Sequence, residues 1–288
     1  CVMLNNRSRI NESDAVIFRG RRMSERPLPT NRISSQYWIF YEIEPPHKVY
    51  THTNLSAYKE TFNLTATYTS DSDFPNMSIP KCIINAKQLS QMKETNYAAE
   101  KTRKVQVAWM ASVCRTQSNR QSFVNKLRNY IKVDVYGNCG EFSCKKTSPS
   151  GYEGKDDCVK TLLNGTRSYK FYLAFENSLC REYLTEKLWK LKNLNVVPVV
   201  MGGVDYSNIL PPKSFIDVAD YRDPKELAAI LHHLDENDDE YNEYVARWRS
   251  IECLAWKRPF MPWHCTICQG LHQLKGRRQQ VHDLTAFW

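Results

Sequence analysis

The 288-residue chain has no uninterrupted apolar run of the roughly 18 residues that a membrane-crossing helix requires. Nothing in it is therefore expected to span a bilayer. Its first residues, CVMLNNRSRINES, lack the apolar stretch of a secretory leader. If the native protein is anchored, its anchor is expected outside this sequence. There is no internal repeat and no low-complexity tract, which sets aside solenoids and disordered linkers. A net charge of +9 favours anionic partners such as a nucleotide sugar, an acidic glycan or a membrane surface. No nucleic-acid-binding motif accompanies that charge, so nucleic acid is not expected. Cys265-Thr266-Ile267-Cys268, flanked by His264 and His272, has the spacing of half a zinc site. The other half is missing, since Cys139 with Cys144 is the single candidate pair, and Gln269 stands where haem attachment needs a histidine. No metal is expected.

What is present begins with 42% hydrophobic and 12% aromatic residues, enough for a packed core and two domains of ordinary size. Ten cysteines and six sequons, at Asn6, Asn11, Asn54, Asn63, Asn76 and Asn164, point to an oxidising, secretory compartment. Short aliphatic and aromatic runs predict strands at Asp14–Phe18, Tyr37–Ile43, Leu64–Tyr68, Val105–Ser112, Val133–Tyr136, Lys170–Phe175, Val196–Met201 and Phe215–Val218. Helical spacing or composition predicts helices over Ser90–Thr102, Asn119–Ile131 and Arg181–Lys192. Two more follow, one opened by Asp223-Pro224 as N-cap and first residue and one carrying Tyr241, Tyr244, Val245 and Trp248. The segment Gly137–Asn164 reads as an irregular cysteine-rich insertion, and the acidic run Asp235–Glu240 as a solvated corner. From Lys104 onward strand and helix alternate, the pattern of a Rossmann-like sheet.

The most informative stretch is Tyr169–Gly203, YKFYLAFENSLCREYLTEKLWKLKNLNVVPVVMGG, which reads as strand, helix, strand. Such units bind ligands where their strands end, and there the chain places Glu176 and Asn177. On a helix, Tyr183, Glu186 and Lys187 at i, i+3 and i+4 share one face. A helix N-terminus with a lysine one turn in suits a diphosphate. The plainer alternative is a solvated Glu–Lys pair after a turn.

The segment resembles the donor-binding motif of the α1,3/α1,4-fucosyltransferases, FYLxFENSxxxDYxTEKL followed by VPVV. The match holds at Phe171, Tyr172, Phe175 to Ser178, Tyr183, Thr185 to Leu188 and Val197 to Val200. It departs before the last strand, where the family's glycine gives way to Leu194-Asn195-Val196. Asparagine tolerates the left-handed backbone such a turn needs. The resemblance implies a GT-B fold: two Rossmann-like domains facing across a cleft. Residues 1–103 would form the acceptor domain, lacking its first strand and joined by the tail 265–288, and residues 104–264 the GDP-fucose domain.

The resemblance also implies the chemistry: an active enzyme performing inverting transfer of fucose from GDP-fucose to O3 of a GlcNAc residue in a glycan, the N-glycan core being one candidate. No cofactor is required, with Mn²⁺ stimulation left open. A similar Asp-x-Asp run, here Asp71-Ser72-Asp73, is kept by the family without a metal role. Glu44, six residues after Trp38 and followed by Pro45-Pro46, matches the general base, with Glu42 its rival. Arg120 matches a phosphate-gripping arginine, with Arg115 its rival, and Ser112 lies near the same phosphates. Lys187 and Glu186 complete the catalytic set, while Asn177, Tyr183, Tyr172 and Glu176 contact the donor. The family's terminal Cys-x-x-Cys implies a Cys1–Cys268 bridge, with the partner of Cys265 upstream of residue 1, or Cys82 or Cys253 as substitutes. Cys139, Cys144, Cys158 and Cys180 are expected to pair among themselves. A Golgi-lumenal catalytic region of a type II membrane protein follows. The alternative is a glycan-binding homologue without turnover.

Overall fold

The computed structural model describes residues 1–75, 79–104, 106–143, 153–163, 168–253, 263–274 and 279–288; for 153–157 it describes the backbone alone. Asn76, Asn164 and Cys144 lie outside the described residues. The chain divides into two compact units. The first is Cys1–Ile79, Cys180–Glu182 and Ala255–Trp288; the second is Pro80–Leu179 and Tyr183–Leu254.

The first unit is built on a parallel sheet in the order β1 (Ala15–Arg19), β2 (Tyr37–Glu42), β3 (Leu64–Thr67). A parallel sheet must be covered on both faces, and the middle strand shows it. Trp38 and Phe40 pack with Val49, Leu55 and Phe62 on one side, and Ile39 with Leu64 and Ala66 on the other. After β2, Pro45 N-caps a single helical turn, α1 (Pro46–Tyr50), with Pro46 inside its first turn, where the missing N–H costs nothing.

The second unit opens with β4 (Cys82–Ile84) and α2 (Ala86–Met92), whose N-cap Asn85 accepts from Gln88 N at 3.1 Å. The expected helix over Ser90–Thr102 is thus earlier and shorter; Ala98–Glu100 is a separate 3₁₀ turn. Then come β5 (Val107–Met110), α3 (Arg120–Leu127), β6 (Val133–Tyr136), α4 (Glu153–Leu163), β7 (Phe171–Phe175), α5 (Glu186–Trp189), β8 (Val197–Met201) and β9 (Ile216–Asp217). The unit ends with α6 (Pro224–Glu236), α7 (Asp238–Arg249) and β10 (Ile251–Cys253). Asp223 caps α6 as its side chain accepts from Lys225 N and Glu226 N. Helix α4 corrects the reading of 137–164 as irregular: Cys158, Val159 and Leu163 recur near helical spacing and are buried. The acidic corner is also more than solvated, because the buried Lys170 ammonium meets Asp235 at 3.0 Å and Asp238 at 3.3 Å.

Strands β4 and β10 pair antiparallel, and Cys82 is disulfide-bonded to Cys253 across them. This pairing binds residues 82–84 into the second unit, so the division falls after Ile79 rather than at residue 103. The C-terminal helices α8 (Trp263–Gln273) and α9 (Leu284–Phe287) belong to the first unit, where Ile267 and Leu284 enter the two faces of its core.

The helix expected over Arg181–Lys192 is a single turn. Glu182 has φ +58°, which breaks the helical path, and Thr185 is extended. Tyr183 therefore lies outside α5 and does not share a helical face with Glu186 and Lys187. The positive φ before β8 falls on Asn193, at +70°, not on Asn195.

At the end of β9 Asp217 accepts from Ala219 N at 3.0 Å. Burial, with Asp220 and Asp205 adding to it against that bond, pushes its carboxyl up to about 6. The folded protein holds this proton more tightly than the unfolded chain. The group's stabilising contribution is full below about pH 4 and is lost as pH rises through about 6. Asp217→Asn, which keeps the cap acceptor, is expected to raise the melting temperature at pH 8 and leave it nearly unchanged at pH 4. An equal shift at both pH values, read by thermal unfolding, would contradict this.

Candidate active site

The second unit's main sheet is parallel with strand order β6-β5-β7-β8-β9. The order reverses between β5 and β7, and a sheet of this kind offers its binding crevice where the carboxyl ends of those strands diverge. Arg120, at the start of α3, joins the two ends. Its Nη1 donates to Phe175 O at 2.6 Å and its Nη2 to Val113 O at 3.2 Å. Ser118 adds a second tie, donating from Oγ to Glu176 O at 2.7 Å and from N to Asn177 O at 3.2 Å. Gly137, at φ +94°, lets the end of β6 approach this junction: a Cβ there would stand 2.7 Å from Ala111 O.

Arg120 is 4% exposed; its guanidinium carbon lies 5.6 Å from the centre of the Trp109 ring, and its Nε has no partner among the described residues. Burial lowers its pKa, opposed by the field of Glu176 and then of Tyr172 and Tyr183. Among the described residues it has no ion pair. A buried cation without a touching counter-ion is costly, and an arriving anion removes the cost.

Glu176 follows β7 directly and is 1% exposed. Its Oε1 accepts from Thr185 N at 2.9 Å and from Thr185 Oγ1 at 2.8 Å; its Oε2 accepts from Lys187 Nζ at 2.7 Å. Lys187 Nζ also donates to Thr185 Oγ1 at 2.6 Å. Two of the three ammonium hydrogens are thus engaged, and 27% of the side chain remains exposed. Lys187 bonds this carboxylate directly, whereas Arg120 feels only its field. The expected helix N-terminus is reduced to the one-turn α5, whose macrodipole is small. Gly202, just past β8, keeps the wall thin, since a Cβ there would meet Tyr206 Oη at 2.5 Å and Glu176 Cγ at 3.5 Å.

The other expected donor residues divide by exposure. Tyr183 and Tyr172 are buried, and Tyr172 has its phenol pKa pushed up by burial against the pull of Arg120. Asn177 is half-buried, its Oδ1 accepting from Ser178 Oγ at 3.2 Å. Ser112 and the rival Arg115 are exposed. Glu186 is 63% exposed at its side chain and 3.9 Å from Lys190, an i,i+4 pair of small worth. A groove of 460 Å³ opens beside the crevice, lined in part by Ser118, Phe123, Leu179, Met201 and Tyr221.

In the first unit the two carboxylates after β2 have different fates. Glu42 is fully buried; it accepts from Arg21 N at 3.0 Å, Ile43 N at 2.9 Å and Glu44 N at 3.1 Å. Those bonds fold the chain into a corner, and Glu44 emerges from it with 28% of its side chain exposed, 3.4 Å from Arg21 Nη1. His47 lies near enough to feel Glu44, while burial and Lys48 lower its pKa. Asp71 pairs with Arg181 at 2.6 Å, and Asp73 accepts from Thr65 N and Thr65 Oγ1 at 2.8 Å each, so both acids serve a loop.

The profile "Glycosyltransferase family 10 (fucosyltransferase) C-term" matches residues 99–288, and "Fucosyltransferase, N-terminal" matches residues 1–77. The chain belongs to glycosyltransferase family 10. It is 34% identical to alpha-(1,3)-fucosyltransferase C of Drosophila melanogaster over 96% of its length and 65% of that protein's. It is 33% identical to glycoprotein 3-alpha-L-fucosyltransferase A of the same organism, over 100% of this chain and 54% of that one. The chain thus spans between about half and two thirds of these relatives. Its fold is shared with an α1,3-fucosyltransferase crystallised with GDP-fucose, at TM-score 0.54 and 13% identity, covering 94% of this chain and 80% of that chain. Two parallel α/β sheets make this a GT-B protein.

For this family 10 protein the cysteines differ in part from expectation. Cys1 is bonded to Cys268. Cys139 is bonded to Cys114, not to a member of its expected group, which ties the loop after β6 to the loop after β5. Cys158 is disulfide-bonded, and Cys180 and Cys265 are free. Cys82 and Cys253 bond each other, so neither substitutes as partner of Cys265. Cys1, Cys268 and His272 converge, but the disulfide occupies both sulfurs. Sequence reasoning missed Cys114, Thr185 as the hub between Glu176 and Lys187, and Arg21 beside Glu44. Thr185 stands inside the matched TEKL run; Arg21, far from Glu44 in the chain, carries no local signal.

Removing the Glu176 carboxylate orphans Thr185 N and leaves Lys187 unpaired. Glu176→Ala is expected to cost about 2–4 kcal/mol of stability. Glu176→Gln, able to keep one Thr185 bond, should cost less. Denaturant midpoints of the two variants, if equal to each other and to the parent, would refute this role.

Proposed function

We propose that this chain is the catalytic region of an inverting α1,3-fucosyltransferase that moves fucose from GDP-fucose to O3 of a GlcNAc residue. The observation that carries the proposal is the pair of cations at the switch point: Arg120, buried on the Phe175 and Val113 carbonyls without an ion pair among the described residues, and Lys187, held by Glu176. That arrangement suits a departing diphosphate, where stabilisation of developing charge is worth most in a site of low dielectric. In the proposed step the acceptor oxygen attacks the anomeric carbon as its bond to the β-phosphate oxygen breaks. The acceptor proton goes to Glu44, and the β-phosphate charge is met by Arg120 and Lys187. Asn177 and Tyr183 are assigned to hydroxyls of the donor, Glu186 to the cationic sugar, and Ser112 to the phosphates. Tyr172 supports the wall behind Arg120, and Glu176 positions Lys187.

The first unit is assigned acceptor binding and the base, the second the donor. Turnover requires the two sets to meet on one substrate pair. Glu44 is preferred to Glu42 because an acceptor hydroxyl needs a base within hydrogen-bond reach, and Glu42 has no exposed surface. Similarity to the Drosophila glycoprotein 3-alpha-L-fucosyltransferase A supports a glycoprotein acceptor, with the N-glycan core as the first glycan to test. The disulfides support a lumenal compartment, which we assign to the Golgi. No helix among the described residues is long and apolar enough to cross a membrane.

GDP-fucose offered with a panel of core chitobiose, terminal LacNAc and peptide-linked GlcNAc tests the reading, with linkage mapped on the product. Lys187→Ala is expected to lower kcat/KM by about 10²–10³. Glu44→Gln is expected to lower it by about 10²–10⁴ with the melting temperature retained. Glu42→Gln should instead lower the melting temperature. Release of GDP without any glycan product, or near-parental turnover in Glu44→Gln, would count against the assignment.

A further inference from the structure

The sequons are equivalent as sequence, but the fold treats the described ones differently. At Asn54, an exposed residue, Oδ1 accepts from Ser56 N at 3.2 Å and from Ser56 Oγ at 2.7 Å. Asn6, also exposed, repeats the arrangement with Ser8 N at 3.0 Å and Ser8 Oγ at 2.9 Å. Both turns use the carboxamide oxygen, so Nδ2 has no partner among the described residues. Asn63 is the opposite case. It is half-buried; its Oδ1 accepts from Trp38 N at 2.8 Å and from Arg32 Nη2, and its Nδ2 donates to Gln279 O at 2.9 Å. Thr65, the hydroxyl residue of that sequon, is buried and donates to Asp73 at 2.8 Å. Asn63 is therefore a joint: beside it Val281 N donates to Phe62 O at 2.9 Å, and the segment leads to Leu284 in the core. At Asn11 the Ser13 hydroxyl turns away to Arg9 O at 3.3 Å, so the asparagine lacks the turn of the first two.

We infer that Asn54 and Asn6 are N-glycan acceptors and that Asn63 is not, although Asn63 carries the threonine form of the sequon. The donor class is an oligosaccharide on an isoprenoid diphosphate. The asparagine Nδ2 forms a bond to the anomeric carbon, the bond from that carbon to the diphosphate oxygen breaks, one amide proton leaves, and the lipid diphosphate departs. At Asn54 and Asn6 the product keeps both turn hydrogen bonds, because those use Oδ1. At Asn63 the sugar would be attached against the tail at Gln279, and a chain so modified could not close that joint. Glycosylated Asn63 is accordingly excluded from the folded population.

The inference rests on the proposed lumenal compartment, so the experiment imposes that compartment: the chain is secreted from eukaryotic cells behind a leader. Folded, monodisperse protein is treated with N-glycosidase in heavy-oxygen water and mapped by peptide mass. Labelled aspartate is expected at positions 54 and 6 and none at 63. Ser56→Ala should remove the mass of one glycan. Asn63→Gln should leave the glycan mass unchanged and lower the melting temperature. Label at 63 in folded protein, or its absence at 54, overturns the inference. Failure of the compartment reading looks different: endogenous chains would then carry neither glycan nor disulfide.

Discussion

Everything proposed for the second unit depends on one buried carboxylate. Glu176 lies at the end of β7, where a strand runs out into the crevice, and it is closed off from water. Three donor atoms from two residues, Thr185 and Lys187, saturate it. A carboxylate left without partners at that depth would be expensive, and those donors offset the cost. The same bonds shape the chain after β7: they hold Thr185 extended, delay the helix until Glu186 and present Lys187 at the rim. A buried carboxylate thus sets where the Lys187 ammonium stands.

The first unit shows the same device in smaller form. Glu42 is enclosed by three backbone N–H groups, and the corner they make delivers Glu44 to the surface. Two acids two residues apart acquire different properties because one is spent on the backbone and the other is not. Arg120 completes the pattern from the cationic side. Its donors are spent on carbonyls at the ends of two strands, which fixes its position without neutralising its charge.

The strands were legible from β-branched and aromatic runs because a buried parallel strand has nowhere to place a polar side chain. Asp223-Pro224 was equally legible, since capping is local chemistry. The helix over Arg181–Lys192 was not. Its composition favours helix, but Glu182 at positive φ and Thr185 drawn to Glu176 outweigh a propensity of a few tenths of a kcal/mol per residue. The helix at Glu153–Leu163 was hidden by glycine and charge around an apolar stripe. Cys114 and Cys139 share no motif; only the ends of adjacent strands β5 and β6 bring them together.

By itself the sequence determined the alternation of strand and helix and the family carried by the FENS and TEKL runs. These follow from side-chain type and spacing along one stretch of chain. Tertiary structure alone decided which of two neighbouring glutamates is exposed, which cysteines bond, which asparagine amides are already committed, and that Lys187 is held by Glu176 while Arg120 is held by carbonyls at the ends of two strands. Each of those depends on a partner distant in sequence or on burial, and neither burial nor a distant partner is written in local order.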